Sequence, residues 1–313
     1  MYECTMNLIK IGTRASQLAL WQAHYVANNL RRIHSGIQVE LVEITSQGDK
    51  TLDVPLSAVG GKGLFLKELE EALLDDSIDL AVHSMKDVTV TLPDGLHIPI
   101  ICKRDDPRDA FVSNRYASLK EMPEGAVVGS CSLRRRSILR HHYPHLRVEN
   151  LRGNVNTRLK RLDDGDYDAI ILACAGLKRL DMAERIRTPL DTDVFLPAVG
   201  QGAVGIECRI NDARVNQLIA PLSHDKTARC VAAERIVNEA LDGGCHVPIA
   251  AFATIDKNQL ALRALVGDPD GGQLLTARGV AEIDKANDLA RNVAEQLLEK
   301  GAGDILRDVY ATA

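Results

Sequence analysis

Aromatic residues are scarce in this chain. Phe, Trp and Tyr together make up 4% of 313 residues, with a single Trp. Platforms on which single-stranded nucleic acid could stack are therefore few. The sequence isoelectric point is about 6.0, far from the strongly basic value of a typical nucleic-acid domain. No zinc-finger, RNA-recognition or basic-zipper spacing occurs, and no nucleic-acid partner is expected. Long apolar runs are also missing, so no membrane span is expected. The opening MYECTMNLIKIG has no basic stretch leading into an apolar one, so no secretory signal is expected. Seven cysteines form no C-x-x-C pair. That argues against a disulfide framework or a structural zinc site and for reduced thiols in a cytoplasmic setting. Nine histidines show no ligand-like spacing, and no metal is expected.

What is present is concentrated positive charge. Residues 134–161 hold nine basic side chains (Arg134, Arg135, Arg136, Arg140, Arg147, Arg152, Arg158, Lys160, Arg161) and one acid, Glu149. The segment carries +8 in a chain of net charge −5, which leaves −13 for the remainder. Eight of the nine are Arg, whose planar fork binds carboxylate or phosphate bidentately. A solvated helix face is the bland explanation of a charge run. Here the basic positions spread over two helix-like stretches and the strand between them, which favours a pocket for a small, multiply anionic ligand.

The first two-thirds of the chain alternates strand-like and helix-like segments. Strands are expected at 8–12, 39–44, 78–82, 98–102 and 110–112, with helices at 16–32, capped by Ser16, and 64–74. A second series comes after them: strands 127–129, 146–151 and 169–173, helices 133–141 and 155–162. This alternation indicates an α/β fold with mostly parallel sheets. From about 225 the character changes to a helix at 228–241, a meander of three antiparallel strands at 249–255, 259–266 and 274–280, and closing helices. The implied domains are 1–102 with 203–220, then 108–196, then an α+β domain at 225–313, with hinges at 103–107 and 197–202. Ligands of open parallel sheets sit at the carboxyl ends of the strands, so two such domains are expected to enclose the ligand in a cleft.

Several motifs sit at such ends. HSMKDV (83–88) comes after a strand and places Ser84, Lys86 and Asp87 there; a local cap with an ion pair is the plain alternative. SCSLRRRS (130–137) has small polar residues before a helix start, where backbone N–H groups bind anions. LRGNVNTRL (151–159) repeats that layout. GQGAVG (200–205) matches G-x-G-x-x-G, but AVGIECRI after it alternates like a strand, so it is read as a tight turn rather than a dinucleotide site. VGGKG (59–63) lacks the earlier glycine and the subsequent Ser or Thr of a P-loop, leaving a glycine segment that carries Lys62. In GGCHVP (243–248) two glycines leave Cys245 sterically open, which suits a reactive or modified thiol.

Together IGTRASQLALWQA, VGGKGLFLKELE, DLAVHSMKDV, KRDDPRDAFVS, SLRR, LRGNVNTRL, DAIILACAGLKRL, LPAVGQGAVGIECR and LDGGCHVPI resemble the porphobilinogen deaminase (hydroxymethylbilane synthase) family over essentially the whole chain. The resemblance implies two domains similar to periplasmic binding proteins and a third carrying the loop cysteine. It implies a monomeric transferase that condenses four porphobilinogen molecules head to tail into hydroxymethylbilane, with loss of ammonia at each addition. The chain would grow on a dipyrromethane cofactor joined by a thioether to Cys245. By the same resemblance Asp87 is the catalytic acid. Lys86, Ser84, Ser132, Arg134, Arg135 and Arg152, with Asp87, would meet the cofactor. Arg14, Ser16, Arg158, Arg179, Arg235, Lys62 and Gln201 would meet porphobilinogen or the growing polypyrrole. Ala58, Cys131 and His246 stand where some relatives carry lysine, serine and glutamine. A non-catalytic binding protein for a small polyanion is the alternative from another class.

Overall fold

A computed structural model of the chain describes residues 8–45, 66–244 and 247–312. In chain order the strands are β1 (Leu8–Thr13), β2 (Gln38–Glu43), β3 (Leu80–Ser84), β4 (Leu96–Ile101), β5 (Asp109–Val112), β6 (Val127–Gly129), β7 (Arg147–Glu149), β8 (Ala169–Ala173), β9 (Thr188–Pro189), β10 (Val204–Arg209), β11 (Ile249–Asp256), β12 (Gln259–Gly267) and β13 (Leu274–Glu282). The helices are α1 (Gln17–Ile33), α2 (Lys67–Leu74), α3 (Leu133–His142), α4 (Val155–Asp163), α5 (Cys174–Arg179), α6 (Ala213–Ile219), α7 (Asp225–Ala240), α8 (Ala286–Glu299) and α9 (Ala302–Thr312). The chain forms two compact units, Met1–Arg104 with Ala203–Ala228, and Asp105–Gly202 with Arg229–Ala313.

The first unit is built on a five-stranded sheet of order β2-β1-β3-β10-β4. β1 pairs parallel with β2 and β3, while β10 runs antiparallel between β3 and β4. Four strands therefore point one way and one opposes them. Helix α1 buries Ala23, Val26, Ala27 and Leu30, the i, i+3, i+4, i+7 stripe of an amphipathic helix. That stripe packs on Ile9, Ile11, Leu80, Val82 and Ile206. Its start is fixed by Ser16, whose hydroxyl accepts from the Ala19 amide, and Arg31 and Arg32 occupy its last turn, where positive charge suits the helix dipole. On the opposite face α2 buries Leu69 and Leu73 against Ile78, Ala81 and Leu96.

The second unit repeats the plan, with order β7-β6-β8-β5-β9. β6 pairs parallel with β7 and β8, and β5 runs antiparallel to β8 and β9. The C-terminal segment adds the antiparallel sheet β11-β12-β13. One face of that sheet is covered by α7, α8 and α9 through Val237, Val293, Leu297 and Leu306. From its other face Ala250 and Leu265 join Phe111, Ile138, Leu139 and Phe195 in a shared apolar cluster. The C-terminal sheet and the second five-stranded sheet thus share a core within one unit.

Most expected elements are present within a residue or two of their expected bounds. The sheets are mixed rather than purely parallel, because β5 and β10, each of which comes after a crossing between the units, enter against the other strands. The expected strand 146–151 shortens to β7. Leu146 and Leu151 flank it and are still buried at 5% and 1% exposure, so their apolar character reflects the core rather than the ladder. β9, α5 and α6 have no counterpart among the expected elements. The segment after GQGAVG is the strand β10, and its residues Val204–Cys208 are buried on both faces. Gly202 has φ of +87°, and a Cβ there would lie 2.8 Å from the Asp105 carbonyl oxygen, so the turn needs glycine.

Candidate active site

In each unit the ionic candidates gather at the carboxyl ends of parallel strands. In the first unit Arg14 directly succeeds β1, and Ser16 caps the helix behind it. Ser84 ends β3, and a short 3₁₀ turn, Met85–Asp87, carries Lys86 and Asp87. Asp87 is exposed, Lys86 and Ser84 are half-buried, and Met85 is buried beneath them. Ser84 is held by Gln22 of α1, whose Nε2 donates to its hydroxyl at 2.7 Å.

In the second unit three strand ends contribute. After β6, the Ser132 hydroxyl caps α3 by accepting from the Arg135 amide, and Ser130 accepts from the Ser132 amide. After β7 come Arg152 and Arg158; Asn154 caps α4 by accepting from the Thr157 amide, and Arg158 Nε donates to the Gly153 carbonyl at 2.7 Å. After β8, Arg179 ends α5, 7% exposed, and donates from Nη2 to the Gly202 carbonyl at 2.7 Å. Gln201 is 1% exposed and donates from Nε2 to the Pro107 carbonyl at 2.6 Å. These two side chains tie the residues around 105–107 to those around 201–202. Arg235 lies half-buried on α7. Lys62, Cys245, Ala58 and His246 lie outside the described residues.

The basic segment divides in two. Arg140 pairs with Asp270, Arg147 with Glu149, Lys160 with Asp164 and Arg161 with Asp166; these four make surface ion pairs of the kind that contribute little. Arg134 and Arg135 turn inward to Asp109, the first residue of β5. Arg134 Nη1 donates to Asp109 Oδ2 at 2.8 Å and to the Leu196 carbonyl at 2.7 Å. Arg135 meets Asp109 Oδ1 through Nε at 3.1 Å and Nη2 at 2.7 Å, and the Ile171 carbonyl through Nη1 at 2.9 Å. Gln201 Nε2 adds a bond to the same Oδ1 at 3.0 Å. Burial alone would raise the Asp109 pKa, but the two guanidiniums outweigh it and hold the carboxyl well below the usual carboxylate range. Sequence reasoning does not single out Asp109. Its only signal is a lone acid opening the apolar run DAFV.

A carboxylate-bearing cofactor suits this donor set. Among the described residues the buried Nε atoms of Arg134 and Arg136 have no hydrogen-bond partner, so each retains a donor for an anion. Ser132 stands at an N-terminus that presents amide groups. Burial pushes the thiols of Cys174 and Cys208 up to about 12, so neither is a nucleophile near neutrality. Cys131, beside Ser132, is half-buried.

Comparison with known proteins agrees with this chemistry. A family model described as porphobilinogen deaminase, dipyromethane cofactor binding domain, matches residues 9–217, and one described as porphobilinogen deaminase, C-terminal domain, matches residues 228–299. The chain belongs to the porphobilinogen deaminase family. It is a transferase of tetrapyrrole biosynthesis, a hydroxymethylbilane synthase with a dipyrromethane cofactor, and the alternative of a non-catalytic binding protein falls. Among solved structures, a putative methionine-binding lipoprotein from Bacillus subtilis is similar at 11% identity and a TM-score of 0.44, covering 71% of this chain and 92% of its own. A nutrient binding protein from Burkholderia cenocepacia bound to methionine is similar at 13% identity and a TM-score of 0.42, covering 67% and 90%. Among the described residues no helix is long and apolar enough to cross a membrane, and no cluster of potential metal ligands is present.

Proposed function

We propose that Asp87 is the acid of the reaction and that Cys245 anchors the cofactor. The observation that supports this reading is the gathering of Asp87, Lys86 and the arginine candidates at the carboxyl ends of parallel strands in a chain of this family. Each porphobilinogen carries an acetate and a propionate, so every substrate brings two carboxylates to be held. Arg14 and Arg158 hold those of incoming substrate or of the lengthening chain, and Ser16, Arg179, Arg235, Lys62 and Gln201 support that task. Ser84, Lys86, Ser132, Arg134 and Arg152 would hold the carboxylates of dipyrromethane. Arg135, whose three guanidinium nitrogens are engaged by Asp109 and Ile171, acts mainly by fixing Arg134 and the helix start. When bound, dipyrromethane supplies the free pyrrole carbon at which each unit is joined. The Asp87 carboxylate accepts pyrrole N–H groups and faces the positive charge that develops as ammonia leaves the substrate; such preorganised stabilisation is a large catalytic contribution. The protein works as a cytoplasmic monomer, and its hinges lie at 103–107 and 197–202.

The test is a pair of variants tracked by intact mass and by rate. Asp87→Asn keeps the side-chain shape and removes the charge. Its turnover should fall about 100-fold or more, as for other lost electrostatic stabilisers, with covalent cofactor still detectable. A rate within twofold of wild type would make Asp87 a structural cap. Cys245→Ser should show the bare chain mass and no turnover, and full activity in that variant would end the thioether assignment.

A further inference from the structure

His83 and Glu207 form a buried pair inside the first sheet. His83 Nε2 lies 2.7 Å from Glu207 Oε2, with the side chains 4% and 1% exposed. Glu207 Oε1 is buried and, among the described residues, has no hydrogen-bond partner. Replacing such a pair by apolar side chains of similar volume is often neutral or stabilising, so holding the sheet together does not require it. It does distinguish the present alignment of β10 on β3 from those slipped by one residue. Because Val204–Cys208 is buried on both faces, hydrophobicity alone separates neighbouring registers weakly. In the register present, Gly205 lies opposite His83 and Glu207 opposite Ala81, which puts His83 and Glu207 on one face within reach of each other. A slip of one residue would turn Glu207 into the cluster of Ile9, Ile11 and Leu80 on the other face, a buried charge without a partner.

The register also sets the turn at the end of β3. The Met85 amide donates to the Ala203 carbonyl at 3.0 Å. The Met85 side chain is 2% exposed, and its sulfur occupies the place a Cβ on residue 205 would take, so only glycine there leaves room for it. A slip would bring Val204 or Ile206 to that place and displace Met85, and with it the turn that carries Lys86 and Asp87. We infer that the His83–Glu207 pair is a register lock, a positioning pair that keeps Gly205 under Met85 and thereby fixes where Asp87 is presented. The inference rests on the reading of Asp87 as the acid.

Holoenzymes of wild type, His83→Leu/Glu207→Leu, Gly205→Ala and Asp87→Asn, each counted by intact mass for attached dipyrromethane, are assayed for kcat and KM with porphobilinogen. The double variant should melt within a few degrees of wild type. Its kcat per loaded molecule should fall at least tenfold while KM stays within twofold, a loss far larger than any unfolded fraction that its melting curve shows at the assay temperature. Gly205→Ala should lose kcat in the same way with the pair intact. Wild-type kcat in the folded double variant, or a loss that only tracks the unfolded fraction, overturns the lock. Should the double variant not fold, wild-type kcat in Gly205→Ala overturns it. Wild-type kcat in Asp87→Asn instead removes the underlying reading of the turn, so the two failures are told apart.

Discussion

The two five-stranded sheets share a strand order and a single opposing strand, and each buries a carboxylate on that strand, but the partners differ. In the second sheet Asp109 opens β5 and is surrounded by Arg134, Arg135 and Gln201. Its charged partners are guanidiniums, which keep their charge in proteins, so this cluster has one charge state. In the first sheet Glu207 on β10 faces His83, and Glu70 of α2 stands nearby. Burial first, then the charge of Glu207, pushes Glu70 up to about 7, with His83 pulling the other way and Glu71 adding to the rise. One architecture thus holds a fixed ionic strut in one copy and a proton-responsive group in the other. The strut sits under arginines expected to meet carboxylates, where a constant field is useful. The responsive group belongs to α2, which packs on the sheet whose strand β3 leads into the turn of Lys86 and Asp87.

The strongest way to break this comparison is to remove the strut. Asp109→Ala strands two buried guanidiniums, and breaking a buried pair in this way costs about 3–5 kcal/mol. Urea unfolding should show that loss, and covalent cofactor loading should fall with it. A stability within about 1 kcal/mol of wild type would mean that Arg134 and Arg135 do not depend on Asp109. A smaller effect is expected in the first sheet. Glu207→Ala leaves one buried imidazole without its partner, so the cost should be nearer the roughly 1–3 kcal/mol of an unsatisfied buried polar group. A loss equal to that of Asp109→Ala would erase the distinction between the two clusters.

The subtlest expectation concerns pH. A carboxyl with a raised folded pKa binds its proton more tightly in the native state than in the unfolded chain. Glu70 therefore contributes stability below its unfolded pKa, and that contribution is lost as pH rises through about 7. Asp109 behaves oppositely: its depressed folded pKa contributes stability above the ordinary carboxylate range, lost only in strong acid. Melting temperature should rise as pH is lowered from 8 towards 6, and Glu70→Gln should flatten that slope. An unchanged slope in the variant would assign the pH response to another group.

Local patterning accounts for what the sequence discloses. The α1 stripe, the Ser16 and Ser132 caps and the bounds of β6 and β8 are set by neighbours within a few residues, and the strand after GQGAVG excludes a dinucleotide site on the same basis. Strand direction is not set that way, since an apolar run reads alike whichever way it enters a sheet, and so the opposed entry of β5 and β10 is not legible. Asp109 meets Arg134 across 25 residues and Gln201 across 92, and His83 meets Glu207 across 124; no spacing rule spans such intervals. The basic segment promises more ligand charge than exists, because acids such as Asp164, Asp166 and Asp270, beyond its ends, neutralise part of it at the surface. Lys62 and Cys245 are singled out by their glycine-rich loops and given their roles by the family motif, and both lie outside the described residues.

The placement of β10 also orders the birth of the molecule. All five strands of the second sheet lie between Asp109 and Pro189, whereas among the described residues β4 of the first sheet pairs with no strand but β10, made more than a hundred residues later. A nascent chain released as far as residue 202 contains every strand of the second sheet, while β4 still waits for a neighbour. The first five-stranded sheet is thus completed after the second, although its first strands are made earlier, and until β10 arrives the edges of β3 and β4 stand open.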